Sequence, residues 1–192
     1  MPPDYGAISK AYATPENMQD LMPGEIPSVI QLYVLGYDKN KKLKIASNTL
    51  KSNIKTYLSQ YRMINDSVRI SNAFIINIGI NFDIIVLPNY NNNLTLEGCI
   101  SSIRNYFIID KWQINQPILL KDLYILLDKI EGVQTVQNIE IVNKTGISEN
   151  YSEFAYDVKG ATINNVVYPS IDPMIFEVKF PTSDIKGRVV PL

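Results

Sequence analysis

Residues 68–86 read VRISNAFIINIGINFDIIV, and this stretch decides the fold class of the chain. Its apolar side chains recur at even positions, whereas polar ones such as Asn77 and Asp83 stand at odd positions. This period of two is typical of a β-strand that buries one face. The run is much longer than the usual strand of about 5 to 6 residues, so it must bend, bulge at Gly79 or project as an arm. We therefore expect two strand segments that meet near Asn72 or Gly79.

Amphipathic helices are predicted before and after this strand in the sequence. Apolar residues recur at helical spacing in three segments, 50–61, 96–107 and 119–130, and Gly132 is the predicted C′ residue of the third helix. Ser47, Asn48 or Thr49 can cap the first of these helices. The remaining predicted elements are a short helix over 3–11, a loop over 14–27, a basic turn over 39–44, and strands over 29–35, 133–142, 163–168 and 175–180.

The order of these elements predicts an α+β fold, in which amphipathic helices cover one face of a mixed or antiparallel sheet. Residues 1–145 are interpreted as one α+β assembly domain. Helical periodicity stops from Lys144 onward, and the remainder is too short to form a core of its own. Residues 146–192 are therefore predicted to be a β-rich extension that packs on the body or on a neighbouring subunit.

Composition excludes several classes of function. Eighteen Lys and Arg stand against 19 Asp and Glu in the 192 residues, so no overall field draws the chain onto nucleic acid or an anionic membrane. Histidine is absent, which removes the commonest general base and a common metal ligand. Cys99 is the only cysteine, lies on an apolar helical stripe and is predicted to be buried. We expect no cofactor, no metal site, no nucleic acid partner and, without a signal sequence or a long apolar run, no membrane insertion.

Charged residues offer weak candidates for chemistry. A pair of carboxylates could act as acid and base, and the acidic residues set among predicted elements are Asp83, Asp110, Asp122, Asp128 and Glu131. Asp122 lies in the first turn of a predicted helix, where the helix dipole explains it without catalysis. The basic run over 39–44 has no interleaved aromatic residue, which favours a solvated turn over a nucleic acid site. We assign no catalytic residue.

Aromatic residues point to contacts with other proteins. Trp112 lies between two predicted helices, where it is either a core residue or an interface anchor, and both interpretations stay open. Many of the 12 tyrosines lie toward the chain ends or beside loops, a placement that favours partner contact. The candidate interface residues are Trp112, Tyr156, Tyr168, Phe176, Phe180 and Arg188.

With these residues in hand, the chain resembles the C-terminal region of the baseplate J family, the wedge proteins of contractile phage tails. The resemblance runs through most of the chain, in the segments Pro3-Asp4-Tyr5 with Ala7-Ile8, 29–35, 50–63, 74–86, Trp112, Gln116-Pro117, Asp122-Leu123-Tyr124, Leu127 and Gly132-Val133. The ending is similar to that of the wedge proteins of T-even-type phages, in the segments 168–173, 175–181 and 184–188.

The resemblance implies a structural, non-enzymatic role in the tail baseplate of a virion assembled in the cytoplasm of a host bacterium. It also implies contacts with other wedge proteins and with further copies of the chain, of which a homodimer is the expected form. Two other classes stay open. A carboxylate-based hydrolase needs two acidic side chains that face each other in a cleft. A small ligand-binding or carbohydrate-binding module needs a concave site lined with aromatic residues.

Overall fold

The structure is a computed structural model that describes residues 6–15, 29–61, 67–146 and 150–191. The chain divides into two compact units, Met1–Phe74 and Ile75–Leu192. Both units combine helices with sheets that contain parallel and antiparallel pairs, which confirms the predicted α+β fold with mixed sheets. The predicted division into 1–145 and 146–192 rests on the point where helical periodicity stops, whereas the two compact units are defined by their internal contacts. The predicted division stays a prediction. Among the described residues, no helix has the length and apolar content to cross a membrane.

The first unit is built around one central strand. Its elements are β1 (Lys10–Pro15), β2 (Val29–Tyr37), β3 (Leu43–Ile45), α1 (Asn48–Ser59) and β4 (Ser67–Asn72). Strand β2 pairs antiparallel with β1 and β3 and parallel with β4. Ser47 caps α1, since its Oγ accepts a hydrogen bond from the N–H of Leu50 at 3.2 Å. Helix α1 contributes Ile54 to a core that contains Val34 and Ala46.

The predicted helix over 3–11 is wrong in its described part. Residues 6–8 form no regular element, and Lys10 and Ala11 begin strand β1 instead. Lys10 pairs with Leu35 of β2 and is only 7% exposed, so pairing with a long central strand outweighs the local helix signal. Residues 1–5 of the predicted helix and residues 16–27 of the predicted loop lie outside the described residues.

The long alternating stretch is two strands. β4 ends at Asn72, and β5 (Phe74–Val86) begins after Ala73, which confirms a junction near Asn72. β4 pairs in the sheet of the first unit, whereas β5 pairs with strands of the second unit. In the pairing of β5 with β7, the register runs through Gly79 without a bulge. The register shifts fall between Asp83 and Ile84 and between Ile85 and Val86.

β5 is the centre of the second unit. The following elements are α2 (Asn92–Tyr106), a 3-10 turn (Ile109–Lys111), β6 (Ile118–Leu119), α3 (Leu120–Asp128), β7 (Val133–Asn143), β8 (Thr162–Ile163), β9 (Val166–Val167), β10 (Met174–Glu177), α4 (Pro181–Asp184) and β11 (Ile185–Val189). β5 pairs antiparallel with β7 and parallel with β11, and it also pairs with β10. Helix α2 packs on β11, and α3 packs on β7. A separate small sheet has the order β6-β9-β8.

Several boundaries in the second unit differ from the predicted ones. Helix α3 ends at Asp128 with Lys129 as its C-cap, so Gly132 is not its C′ residue but a later turn position with φ of 94°. The predicted strand over 163–168 is a hairpin, β8 and β9, around Asn164 and Asn165. Both asparagines have positive φ, which suits the tight turn.

The face of β5 that carries the odd-numbered residues is covered by other segments along the first half of the strand. Asn77 is fully buried, its Nδ2 donates to Oε2 of Glu177 at 2.9 Å, and its Oδ1 accepts from the N–H of Ser152 at 2.7 Å. A Cβ at Gly79 would lie 3.0 Å from the carbonyl oxygen of Asp184, so glycine allows the chain around Asp184 to approach β5 closely. The polar face expected at the odd positions is therefore open only beyond Gly79, where Asn81 and Asp83 are half-buried.

Candidate interaction surfaces

The open part of the β5 face carries two rows of polar side chains. In the strand register, Asn81 lies between Glu140 of β7 and Lys186 of β11. In the next row Asp83 lies between Asn138 and Arg188. Directly opposed residues of neighbouring strands project on the same face, so the six side chains form one patch over a cavity of about 350 Å³.

Each carboxylate of this patch is paired with a cation. The Arg188 guanidinium donates to both carboxylate oxygens of Asp83, at 3.0 Å from Nε and 2.9 Å from Nη2. This contact raises the pKa of Arg188 above its usual value. Glu140 forms an ion pair with Lys159 at 3.0 Å. The patch therefore holds fixed charges in two ion pairs, and its two carboxylates do not form an acid–base pair with each other.

The other acidic candidates lie on helix ends and turns. Asp122 occupies the first turn of α3, as the helix-dipole interpretation expects, and Asp110 lies in the 3-10 turn. Glu131 accepts a hydrogen bond from the Tyr90 hydroxyl at 3.1 Å. Across the described ranges, no three His, Cys, Asp or Glu side chains lie where they could hold one metal ion.

Trp112 and Phe176 lie in the core of the second unit. Trp112 is 3% exposed and packs against Phe107 with ring centroids 5.2 Å apart. Its indole Nε1 has no hydrogen-bond partner in the described part of the chain. Phe176 of β10 is 1% exposed. Side chains buried within their own chain offer little surface to a partner, so the interface hypothesis depends on the other four residues.

Those four residues differ in exposure. Tyr168 is exposed, and Arg188 projects from the polar patch, while Tyr156 and Phe180 are half-buried. The Tyr156 hydroxyl donates to the backbone carbonyl of Tyr168. Partial burial, and secondarily the nearby Asp157 charge, raises the pKa of Tyr156. The structure brings Tyr156 and Tyr168 together, but it does not gather the six predicted residues into one surface.

Sequence reasoning missed two exposed features. Ile171 is 98% exposed on a loop between two prolines. The residue types of this loop do not mark Ile171 as a contact residue. A groove of about 510 Å³ in the first unit is lined by Lys51 and Lys55 of α1 and by Arg69 of β4. The i,i+4 spacing of the two lysines was available in the sequence, but the groove itself depends on how β4 lies beside α1.

The single cysteine is buried, and its chemistry can be tested. Cys99 is 0% exposed on α2, and desolvation raises the pKa of its thiol to about 11. Only about one thiol in a thousand is then ionised at pH 8, so native protein should react with a thiol reagent at least about 100-fold more slowly than unfolded protein. Absorbance of the released aromatic thiolate measures the rate. One equivalent of rapid reaction in native protein would contradict the buried position.

Comparison with known proteins gives a likeness in structure. No family model and no curated protein matches the chain. The chain is similar to one in the cryo-EM structure of the anti-feeding prophage (AFP) baseplate, 6-fold symmetrised, with a TM-score of 0.54 and 12% sequence identity. The match covers 86% of this chain and 33% of that one, so this chain spans about a third of the length of its structural neighbour. At this identity the likeness shows a shared fold.

Proposed function

We propose that this chain is a structural subunit of a contractile-tail baseplate. It works by contact with other baseplate proteins, and it catalyses no reaction. The observation that carries the proposal is the fold shared with a chain of the AFP baseplate over 86% of this chain. The resemblance of its sequence to the baseplate J family is a second and separate support.

The finer part of the proposal concerns its neighbours. As a wedge protein, the chain associates with other wedge proteins. It also associates with a second copy of itself to form a homodimer. The AFP baseplate was solved with 6-fold symmetry, and a symmetric assembly repeats each contact between its copies. The ion pairs of the open β5 face support a non-catalytic role, because both carboxylates there are neutralised by basic partners. Assembly takes place in the cytoplasm of the host bacterium.

The role in a tail baseplate can be tested on particles. Antibodies raised against the purified chain should label the baseplate end of tails isolated from the organism that encodes it, as seen by immunogold electron microscopy. Mass spectrometry of the same particles should detect the chain in a fixed ratio to other tail proteins. Intact tails that lack the chain, or label spread along the tail, would contradict the proposal.

A further inference from the structure

The loop Pro169–Pro173, called the tip below, presents one fully exposed apolar side chain. Ile171 is 98% exposed, and it is followed by the exposed carboxylate of Asp172. Isolated apolar residues are common on protein surfaces. Ile171 is the most exposed large apolar side chain in the described part of the chain. The tip therefore offers an apolar group and a negative charge side by side.

Hydrogen bonds hold the tip in one shape. Within it, Ser170 Oγ donates to the carbonyl of Asp172 at 2.9 Å. At its end, the N–H of Met174 donates to Asn115 Oδ1 at 3.0 Å, while the N–H of Asn115 donates to the carbonyl of Met174 at 2.8 Å. The flanking prolines restrict the backbone further. A loop fixed before contact loses little conformational entropy when it binds, which favours its use as an anchor.

The groove of the first unit, called the basic groove below, has the complementary chemistry. Lys51 and Lys55 of α1 line one side of it, and residues 67–70 of β4 line the other side, where Val68 and Ile70 are apolar. In the described part of the chain, no carboxylate forms an ion pair with Lys51 or Lys55. The basic groove therefore combines two lysine cations with an apolar wall, in a space of about 510 Å³.

The two units also carry opposite net charges. Residues 1–74 contain 9 basic and 6 acidic residues, whereas residues 75–192 contain 9 basic and 13 acidic ones. The near-neutral charge of the whole chain thus hides a positive unit and a negative unit. Such a distribution favours contact between the first unit of one copy and the second unit of another.

From these observations we propose that the tip of one copy binds in the basic groove of a second copy. Ile171 packs against Val68 and Ile70, and Asp172 pairs with Lys51 or Lys55. In a homodimer with two-fold symmetry this contact occurs twice, since each copy supplies one tip and one groove. The inference deepens the proposed self-association by naming the surfaces that carry it.

Cross-linking between two single-cysteine populations tests the contact directly. Chains with Ile171→Cys are mixed with chains of different tag length that carry Lys55→Cys, and disulfide formation is followed on gels. Cys99 is buried and adds little background. A matched control replaces Lys55→Cys by Lys39→Cys, an exposed lysine of the same unit. We expect the 171–55 product to form roughly tenfold faster than the 171–39 product. Equal rates would overturn the proposal.

Charge reversal gives an independent test in the full chain. Asp172→Lys should weaken self-association roughly tenfold by sedimentation velocity at low salt. Mixing this variant with the double variant Lys51→Glu and Lys55→Glu should restore part of the association, because the opposed charges are exchanged. If groove variants weaken association and tip variants do not, another segment occupies the groove and the proposal fails.

The outcomes also separate this inference from the proposed function. If the wild-type chain dimerises and the tip and groove variants dimerise equally well, the tip–groove contact is wrong, but the proposed self-association remains. A chain that stays monomeric at about 100 µM and gives no selective cross-link overturns both the contact and the homodimer. The baseplate role is decided by the particle experiment, which does not depend on either result.

Discussion

A chain that ends at Asn165 is expected to lose the fold of its second unit. The truncation removes β10 and β11, both of which pair with β5, together with much of the core. The buried apolar residues lost are Val167, Met174, Ile175, Phe176, Val178 and Ile185. At about 2 kcal/mol for each buried side chain, their removal costs on the order of 10 kcal/mol. This is comparable to the whole stability of an ordinary domain, about 5 to 15 kcal/mol.

Trp112 makes the loss easy to measure. It is the single tryptophan and is buried in the second unit, so unfolding there should shift its fluorescence to the red. A chain that ends at Val190 is the matched control, since it keeps β10 and β11, and its melting curve should stay close to that of the full chain. The effect should not depend on protein concentration, because β11 pairs with β5 of its own chain. If the chain that ends at Asn165 kept the Trp112 emission and the melting curve of the full chain, the observed pairing of β10 and β11 with β5 would be contradicted.

Asn77→Ala should be the most damaging single substitution of a polar residue on β5. The change leaves Glu177, which is 2% exposed, without the Asn77 donor, and it leaves the N–H of Ser152 without its acceptor. Removing partners from a buried carboxyl group and a half-buried amide is expected to lower the free energy of unfolding by about 3 kcal/mol. Urea unfolding followed by Trp112 fluorescence measures this difference.

Asn81→Ala is the matched control for Asn77→Ala. Asn81 lies on the same strand and the same face, but it is half-buried in the open part of that face. We expect this variant to lose no more than about 0.5 to 1 kcal/mol. Similar small losses for both variants would show that the buried contacts of Asn77 contribute little to stability.

Local patterns predicted the elements whose burial is periodic along the chain. The alternating stretch predicted β4 and β5 and their junction near Asn72, and helical spacing predicted most of α1 and α2 and all of α3. In these segments the side chains that repeat in the sequence are the ones that pack, so the sequence pattern and the core coincide. The Ser47 cap of α1 was also predictable, because an N-cap side chain bonds to backbone groups only a few residues away.

Elements that depend on distant partners were missed. Residues 185–189 read IKGRV, with a glycine and two charges, and they fall in the predicted β-rich extension, but no individual strand was predicted there. They form β11 because β5 offers backbone partners. Glycine fits at position 187 because a Cβ there would clash with the Phe82 ring and would lie 2.6 Å from Leu96. In the same way Lys10 and Ala11 form a strand because β2 lies beside them. Strand formation at a sheet edge reflects the neighbouring strand more than intrinsic propensity.

The same distinction applies to the candidate surfaces. Aromatic type alone suggested Trp112 and Phe176 as contact residues, but the structure buries both, whereas Ile171 is almost completely exposed. Exposure depends on which segments come together, and the residues that cover a side chain can lie far away in the sequence. Asn77 shows this clearly, since Glu177 and Ser152 cover it from 100 and 75 positions along the chain.

By itself the sequence determined the α+β class, the main helices, the central strands and a chain without histidine chemistry. These properties follow from composition and from periodicities of two and 3.6 residues, which act over short distances. Only the tertiary structure decided which polar groups of β5 are buried, which strand lies beside the lysines of α1 and which apolar side chains stay exposed. Those outcomes depend on contacts between segments far apart in the chain, and no local pattern encodes them.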